Sequence, residues 1–581
     1  MYNTQSEGLL GESMDTTQTS TAADSELLAN VFEERAENLS KRELSDWTTE
    51  TPRDREILSK LKGPGAKLLS GPRGSGKSTL LRKAYYDLLD SQLVLAAYVN
   101  YARSLALEPL FHKRANAHEL FRQWVLHKIV SGVAESFTEL NRKLPQGLGA
   151  VAERAKFLIH ALETSEEAPR VERPIAPSEL LLLLERWTKE SGFKRCVLLL
   201  DDAAHAFSPE QQREFFEIFR ELRSRIVSAK AAVYPGITTY SPHFHVGHEA
   251  ELVQAWYAPD DPSYLAVMRS LAERRLPPEM FRRLAGREDL IDYLALSSFG
   301  LPRGFLVMLS QLLGIEEDEG SRPTSQGAEQ AVKTYVASVR GIFSTLSSKL
   351  PRYKNFIDIG HEFETAILRQ LRQFNTNAPT NKKAVVFGVA EPVERELERI
   401  LAFQEYAGMV RRLDSVSRGV KGVFQRYYLN YGILVVENAL SLGKSYSLKS
   451  VVQALERRDA HAFIRTKAAS LLGSDFRNRC SLDLAPCPTC GTPRLSEDAR
   501  FCMKCGSRLV DTSIYDQLLQ TEIDKLPLTR RKIEGLIRHT SIRTVQDILL
   551  DHEGRQIRSV PYIGHVWAAR IRNAAEEFVS V

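Results

Sequence analysis

The sequence predicts a multidomain α/β protein whose core is a parallel sheet built around a phosphate-binding loop. Two observations carry that fold. A short apolar strand runs into a glycine-rich loop and then a helix at residues 67–81, and an unbroken apolar run ends in paired aspartates at 196–202. A third observation, four cysteines gathered at 487–505, marks a separate small unit. At 581 residues the chain exceeds what one core holds, since domains run to roughly 100–200 residues. Its composition, 43% hydrophobic and 26% charged, excludes wholesale disorder. No apolar run approaches the ~18 residues that cross a membrane, and no signal-peptide pattern opens the chain. A cytoplasmic protein without membrane association is expected.

Net charge is +5, with 78 Lys and Arg against 73 Asp and Glu. Residues 1–40 hold eight acids and one base, a local −7 that leaves +12 on residues 41–581. That segment is too polar to bury much, so 1–40 is expected to be a disordered acidic tail.

The loop reads Gly71-Pro72-Arg73-Gly74-Ser75-Gly76-Lys77-Ser78-Thr79. G-x4-G-K-S between a strand and a helix is a phosphate cradle: glycines let backbone N–H groups turn inward, and the helix start adds its positive dipole end. Lys77 is expected to reach the β/γ-phosphates of ATP, and Ser78 to ligate Mg²⁺. The run Cys196–Leu200 is apolar on both faces, as a strand inside a parallel sheet must be. Asp201 at its end is placed to complete the Mg²⁺ shell. Asp202 is placed to orient or deprotonate water, with a helix N-cap as its alternative role. A further strand is expected over Ala231–Thr239.

With these residues the sequence resembles AAA+ ATPases, specifically the ORC-type initiator branch, over about residues 45–315. The resemblance implies a P-loop ATPase core at 41–250 and a helical lid at 251–345. Thr238 or Thr239 would match sensor 1, and Arg303 in Gly300-Leu301-Pro302-Arg303 would match sensor 2. The sequence departs from the pattern twice. Asp202 stands where most members have Glu, and residues 240–248 contain no arginine finger. The Asp-Asp pair is similar to STAND signalling ATPases, which implies slow hydrolysis or a nucleotide switch.

Residues 346–475 read as mostly helical until Arg411, Arg412 and Leu413, a polar turn, and the run Val423–Leu429. Two β-prone runs around a Gly/Ser turn predict a hairpin. After helices, it resembles the wing of a winged-helix domain. Arg411, Arg412, Arg418, Lys421 and Arg426 then become candidates for DNA phosphate contacts, with a solvated hairpin as the plain alternative.

In 476–512, Cys487-Pro-Thr-Cys490-Gly491 and Cys502-Met-Lys-Cys505-Gly506 form two C-x2-C-G knuckles separated by eleven residues. Four thiolates suit tetrahedral Zn²⁺ in a closed structural site resembling a zinc ribbon, with iron as the redox alternative. Balanced charge there gives no electrostatic argument for DNA, which leaves partner binding or spacing as open as DNA contact. Residues 513–581 resemble a helix-hairpin-helix fold, that of the C-terminal domain in the α subunit of bacterial RNA polymerase. Gly564 and Arg570 would bind a DNA phosphate there, although Tyr562 replaces the first hairpin glycine.

The leading expectation is an ATP-hydrolysing protein that engages DNA. The alternatives are an ATP-gated signalling or defence switch recruiting an effector protein, and a nucleotide-binding scaffold. Oligomeric state is left open.

Overall fold

In the computed structural model, the described residues are 36 and 39–579, apart from 103–106, 114–115, 165–170, 172, 204–208, 315–322, 380–381, 444–445, 457–462, 497–498, 500, 510–512, 552 and 562. The expected acidic tail lies outside them except at residues 36, 39 and 40, and so does Tyr562.

Apolar runs flanked by helices assemble a five-stranded parallel sheet. Its strands are β1 (Lys67–Ser70), β2 (Val94–Asn100), β3 (Arg195–Asp201), β4 (Val227–Val233) and β5 (Glu251–Gln254), in the order β2-β3-β4-β1-β5. The sheet centre explains the aspartate strand. β3 pairs with β2 on one side and β4 on the other, and Cys196–Leu200 are buried. β1 stands one strand from β3, across β4, so the phosphate loop and the end of β3 open at the same carboxyl edge of the sheet, where such sheets bind ligands.

Two expected boundaries move. β5 pairs with β1 from Lys67↔Glu251 to Ser70↔Gln254, so the core reaches residue 254 rather than 250. The strand expected over Ala231–Thr239 runs instead over Val227–Val233. Pro235 has no N–H for a ladder, and Gly236 sits at φ 75°, so the chain turns after Tyr234.

Helices follow the sheet. Among them are α2 (Pro302–Leu312), opened by Pro302 in its first turn, and α3 (Ser325–Lys349), which crosses the expected 345/346 boundary. Earlier, α1 (Lys77–Ser91) leaves the glycine loop. The next unit contains α4 (Lys354–Asn377), β6 (Val386–Ala390), α5 (Arg395–Tyr406), β7 (Val410–Arg412), β8 (Val416–Ser417), β9 (Val423–Leu429) and β10 (Phe463–Thr466). The expected hairpin is present, with Val410↔Leu429, Arg411↔Tyr428 and Arg412↔Tyr427 antiparallel. Residues 401–406, which precede it, are helical. β9 also pairs with β6, which pairs in parallel with β10. Among the described residues, α5 alone stands between β6 and the hairpin, where a helix-turn-helix needs two helices.

One hydrophobic cluster runs from Leu68 through the helices after β5 to Cys480, so the sheet, those helices and the hairpin unit share a core. Residues 514–579 have their own, built on Leu536, Ile548, Ile557, Ile571 and Ala575, and end in α6 (His565–Val579). No helix among the described residues is long and apolar enough to cross a membrane.

Candidate nucleotide site and its neighbours

The loop between β1 and α1 needs its glycines for stated reasons. A Cβ on Gly71 would stand 2.5 Å from Ser75 Oγ, and Gly74 and Gly76 adopt φ of 78° and 89°. Gly76 opens α1, so the helix N–H groups from Lys77, Ser78 and Thr79 face the loop, where an anion is favoured. Pro72 is buried and Arg73 half-buried.

Lys77 is buried. Its Nζ donates to Gly71 O at 2.8 Å and Pro72 O at 3.1 Å. Burial pushes its pKa down to about 7; Asp202 and Asp201 oppose this, while Arg303 and Arg73 add to it. Asp201 is fully buried at the end of β3 and accepts the Tyr98 hydroxyl at 2.7 Å. It also accepts the Asp202 N–H at 3.0 Å. Asp202 holds φ 50°, a left-handed conformation rare outside glycine. Such backbone strain concentrates at functional sites.

The residue at the end of β4 that enters this site is Tyr234. Its hydroxyl donates to Asp202 Oδ1 at 3.0 Å, and its ring lies 3.7 Å from Lys77 Nζ. Burial, and then Asp202, raise its pKa well above the usual phenol range. Thr238 closes the turn instead. It accepts the Tyr234 N–H at 3.0 Å and donates back to Tyr234 O at 2.9 Å. Thr239 donates its N–H to the buried Gln212. Strand-end counting puts both threonines in the site because it overlooks how early Pro235-Gly236 ends β4.

Arg303 joins from the first turn of α2, where its N–H meets Gly74 O at 3.5 Å. Its guanidinium pairs with Glu577 at 3.1 Å, and Arg73 pairs with the same carboxylate at 3.4 Å. Arg73 also donates its N–H to Tyr406 O at 3.4 Å, and Tyr406 packs edge-on against Tyr234 with centroids 5.7 Å apart. The phosphate loop, the β4 turn, α2, α5 and α6 therefore converge. Sequence reasoning missed Tyr98, Tyr234, Tyr406 and Glu577. Tyr234 was legible as the residue before a Pro-Gly break, whereas the others carry no local signal.

Residues 53–227 match the AAA ATPase domain family. The AAA ATPase match spans β1 to β3 and stops at the first residue of β4. The phosphate loop and the aspartate strand thus lie in a segment that matches an AAA ATPase domain, within a multidomain α/β chain. Solved structures similar to the chain include a Walker-type ATPase of Pyrococcus abyssi, at 12% identity and TM-score 0.35, covering 71% of this chain and all of that one. Cdc6p from Pyrobaculum aerophilum gives 15% and 0.28, covering 73% of this chain and 98% of that one. The Aeropyrum pernix ORC1 protein in complex with DNA gives 18% and 0.27, covering 67% and 91%. No curated protein matches the sequence.

The hairpin arginines divide. Arg411 turns inward: it donates to Tyr257 O at 2.8 Å and lies 5.4 Å from the Trp256 ring centroid, so it braces the core and is removed from the expected DNA set. Burial lowers its pKa. Arg412 donates to Gln425 at 3.0 Å, Arg426 to Asp414 O at 3.0 Å, and Arg418 stands 5.1 Å from the Phe463 centroid. Lys421 is exposed at the tip. In the C-terminal unit Gly564 is exposed just before α6, and Arg570 stacks 4.9 Å from Trp567.

The four cysteine sulfurs of Cys487, Cys490, Cys502 and Cys505 lie within 4.8 Å of one another. Gly491 and Gly506, at φ 69° and 68°, return their N–H groups to Cys487 O and Cys502 O at 2.8 and 2.9 Å, making two matching knuckles. Side chains around them are largely exposed, including Leu495, Phe501 and Met503. With so little apolar burial, cross-linking by a metal is the natural source of order, and a tetrathiolate set fits Zn²⁺.

Proposed function

We propose that the chain is a Mg²⁺-dependent ATPase that engages DNA according to its nucleotide state. The observation carrying this reading is the contact of α5 with the nucleotide site. Arg73 of the phosphate loop donates to Tyr406 O, and Gly236 in the β4 turn lies so close to Ala402 that a Cβ there would meet its backbone at 2.5 Å. Four residues after Tyr406 the hairpin begins. A change in the loop or the turn thus reaches the basic hairpin through one rigid helix.

The residues fit a nucleoside triphosphate: a glycine cradle, a buried lysine, two aspartates and two arginines face one crevice. Bound ATP with Mg²⁺ supplies the phosphoryl group for transfer to water. Gly71–Thr79 backbone groups and Lys77 hold phosphate oxygens, while Ser78 and Asp201 hold the metal. Tyr98 keeps Asp201 oriented. Asp202, fixed by Tyr234, orients the attacking water and accepts its proton. Arg303 senses the phosphates from α2. On the DNA side, Arg412, Arg418, Lys421 and Arg426 supply phosphate contacts from the hairpin, and Gly564 with Arg570 a second one. Zn²⁺ on the four cysteines holds the ribbon between them.

ATP turnover with and without duplex DNA tests this reading. Stimulation by DNA, lost in Lys77→Ala and Asp202→Ala, is expected. Lys421→Glu is expected to weaken DNA binding and to make the slope of log K against log salt shallower by about 1. Turnover indifferent to DNA, with binding indifferent to salt, defeats it. A second reading, a switch that recruits an effector protein, is favoured by the exposed Leu495, Phe501 and Met503 on the ribbon.

A further inference from the structure

The last helix turns one face to its own core and another to the nucleotide site. Ile571, Ala575 and Val579 repeat every fourth residue and are buried in the C-terminal cluster. Glu577, two positions from Ala575, falls on the opposite side of α6 at about 100° per residue. There its carboxylate lies between two guanidiniums, 3.1 Å from Arg303 Nη1 and 3.4 Å from Arg73 Nη2. At the end of α3, burial and then Arg73 push the Lys349 pKa well below the usual ammonium range, while Glu577 opposes them. One carboxylate therefore answers guanidiniums from the phosphate loop and from α2.

A carboxylate and a phosphate oxygen are both acceptor-only anions, and guanidinium forks bind either. The C-terminal unit is also tethered at its other end. Buried Glu108 accepts the Ser513 hydroxyl at 2.6 Å and the Ile514 N–H at 3.2 Å. That second anchor keeps Glu577 near the loop at high effective concentration.

We propose that Glu577 is a built-in competitor for the triphosphate, closing the site until nucleotide expels it. This deepens the nucleotide-binding reading and rests on it. Expulsion releases the Glu577 face of α6, a helix about 22 Å long that begins just after Gly564 and carries Arg570. Nucleotide binding and release of the C-terminal unit from the phosphate loop become one event. A triphosphate carries more charge than one carboxylate, so it wins at sufficient concentration, and the plug lowers apparent affinity by the fraction of time it is closed.

Titration of the full-length chain with a fluorescent ATP analogue, together with hydrogen exchange of residues 565–579, tests the proposal. Glu577→Gln is expected to bind the analogue about tenfold more tightly, as for a plug closed nine-tenths of the time. Glu576→Gln, whose carboxylate pairs with Arg572 on the same helix, is expected to match the parent within about twofold. Saturating ATP with Mg²⁺ is expected to speed exchange in 565–579 of the parent chain. Equal or weaker binding by Glu577→Gln, or exchange unmoved by ATP, overturns the plug while leaving the nucleotide site standing. Failure of every variant, parent included, to bind better than Lys77→Ala removes the nucleotide reading and the plug with it.

Discussion

Lys77 Nζ stands 3.7 Å from the centroid of the Tyr234 ring. The contact ties the phosphate loop to the end of β4, and the same tyrosine reaches Asp202 through its hydroxyl. Tyr234→Phe keeps the ring under the lysine and loses the bond to Asp202. It is expected to lower ATP turnover about tenfold with nucleotide affinity changed less than about twofold, because one oriented hydrogen bond contributes about 1–1.5 kcal/mol. Tyr234→Ala is expected to weaken affinity as well. Steady-state kinetics beside a binding titration separates the two effects.

Burial holds both Lys77 and Lys230 at a pKa of about 7. Between about pH 7 and the unfolded value near 10.4, the unfolded chain binds more protons at these positions than the folded one. Stability is therefore expected to rise with pH across that window, by up to about 1.4 kcal/mol per unit for each lysine. Urea midpoints at pH 6.5, 7.5 and 8.5 measure the slope, and Lys230→Met should reduce it. Nucleotide binding has the opposite sign. Phosphates favour charged Lys77, so affinity falls and proton uptake on binding grows as pH rises from 7 to 8.

Gly236 combines φ 75° with an approach to α5 so close that an added methyl group would stand 2.5 Å from its backbone. Gly236→Ala is expected to cost about 2–4 kcal/mol, from left-handed strain and from pushing α5 away. Thermal denaturation reads the loss. A shift in hydrogen exchange within 395–406 would show that the helix, rather than the turn, gives way.

Metal analysis of the purified chain should return one Zn²⁺ per molecule, lost on Cys502→Ser with Cys505→Ser. The cysteine segment 487–508 adds no residue to the hydrophobic clusters formed by the described residues. Its loss is expected to leave the main thermal transition unchanged while exposing 487–508 to protease. A lowered main transition would contradict that separation.

Legibility follows the range of the forces. The phosphate loop was readable because G-x4-G-K-S states a backbone shape within a few residues, and β3 because burial on both faces demands an uninterrupted apolar run. The hairpin was readable from its turn. Arg411 was misread because alternation along a short strand does not say which face meets a neighbouring unit, here Tyr257 and Trp256. The end of β4 was misplaced by giving β-prone residues more weight than Pro235-Gly236.

The sequence by itself determined the chemistry available to this protein: a phosphate cradle, two aspartates at a strand end, and four thiols in metal-binding register. Each is written in residues close together in the chain, where backbone geometry and periodicity act directly. Tertiary structure alone decided which of these pieces meet. Glu577 joins Arg73 across some five hundred residues, Tyr234 lies under Lys77, and α5 links the nucleotide site to the hairpin. Such meetings depend on how whole helices pack against a sheet, and no local pattern encodes that.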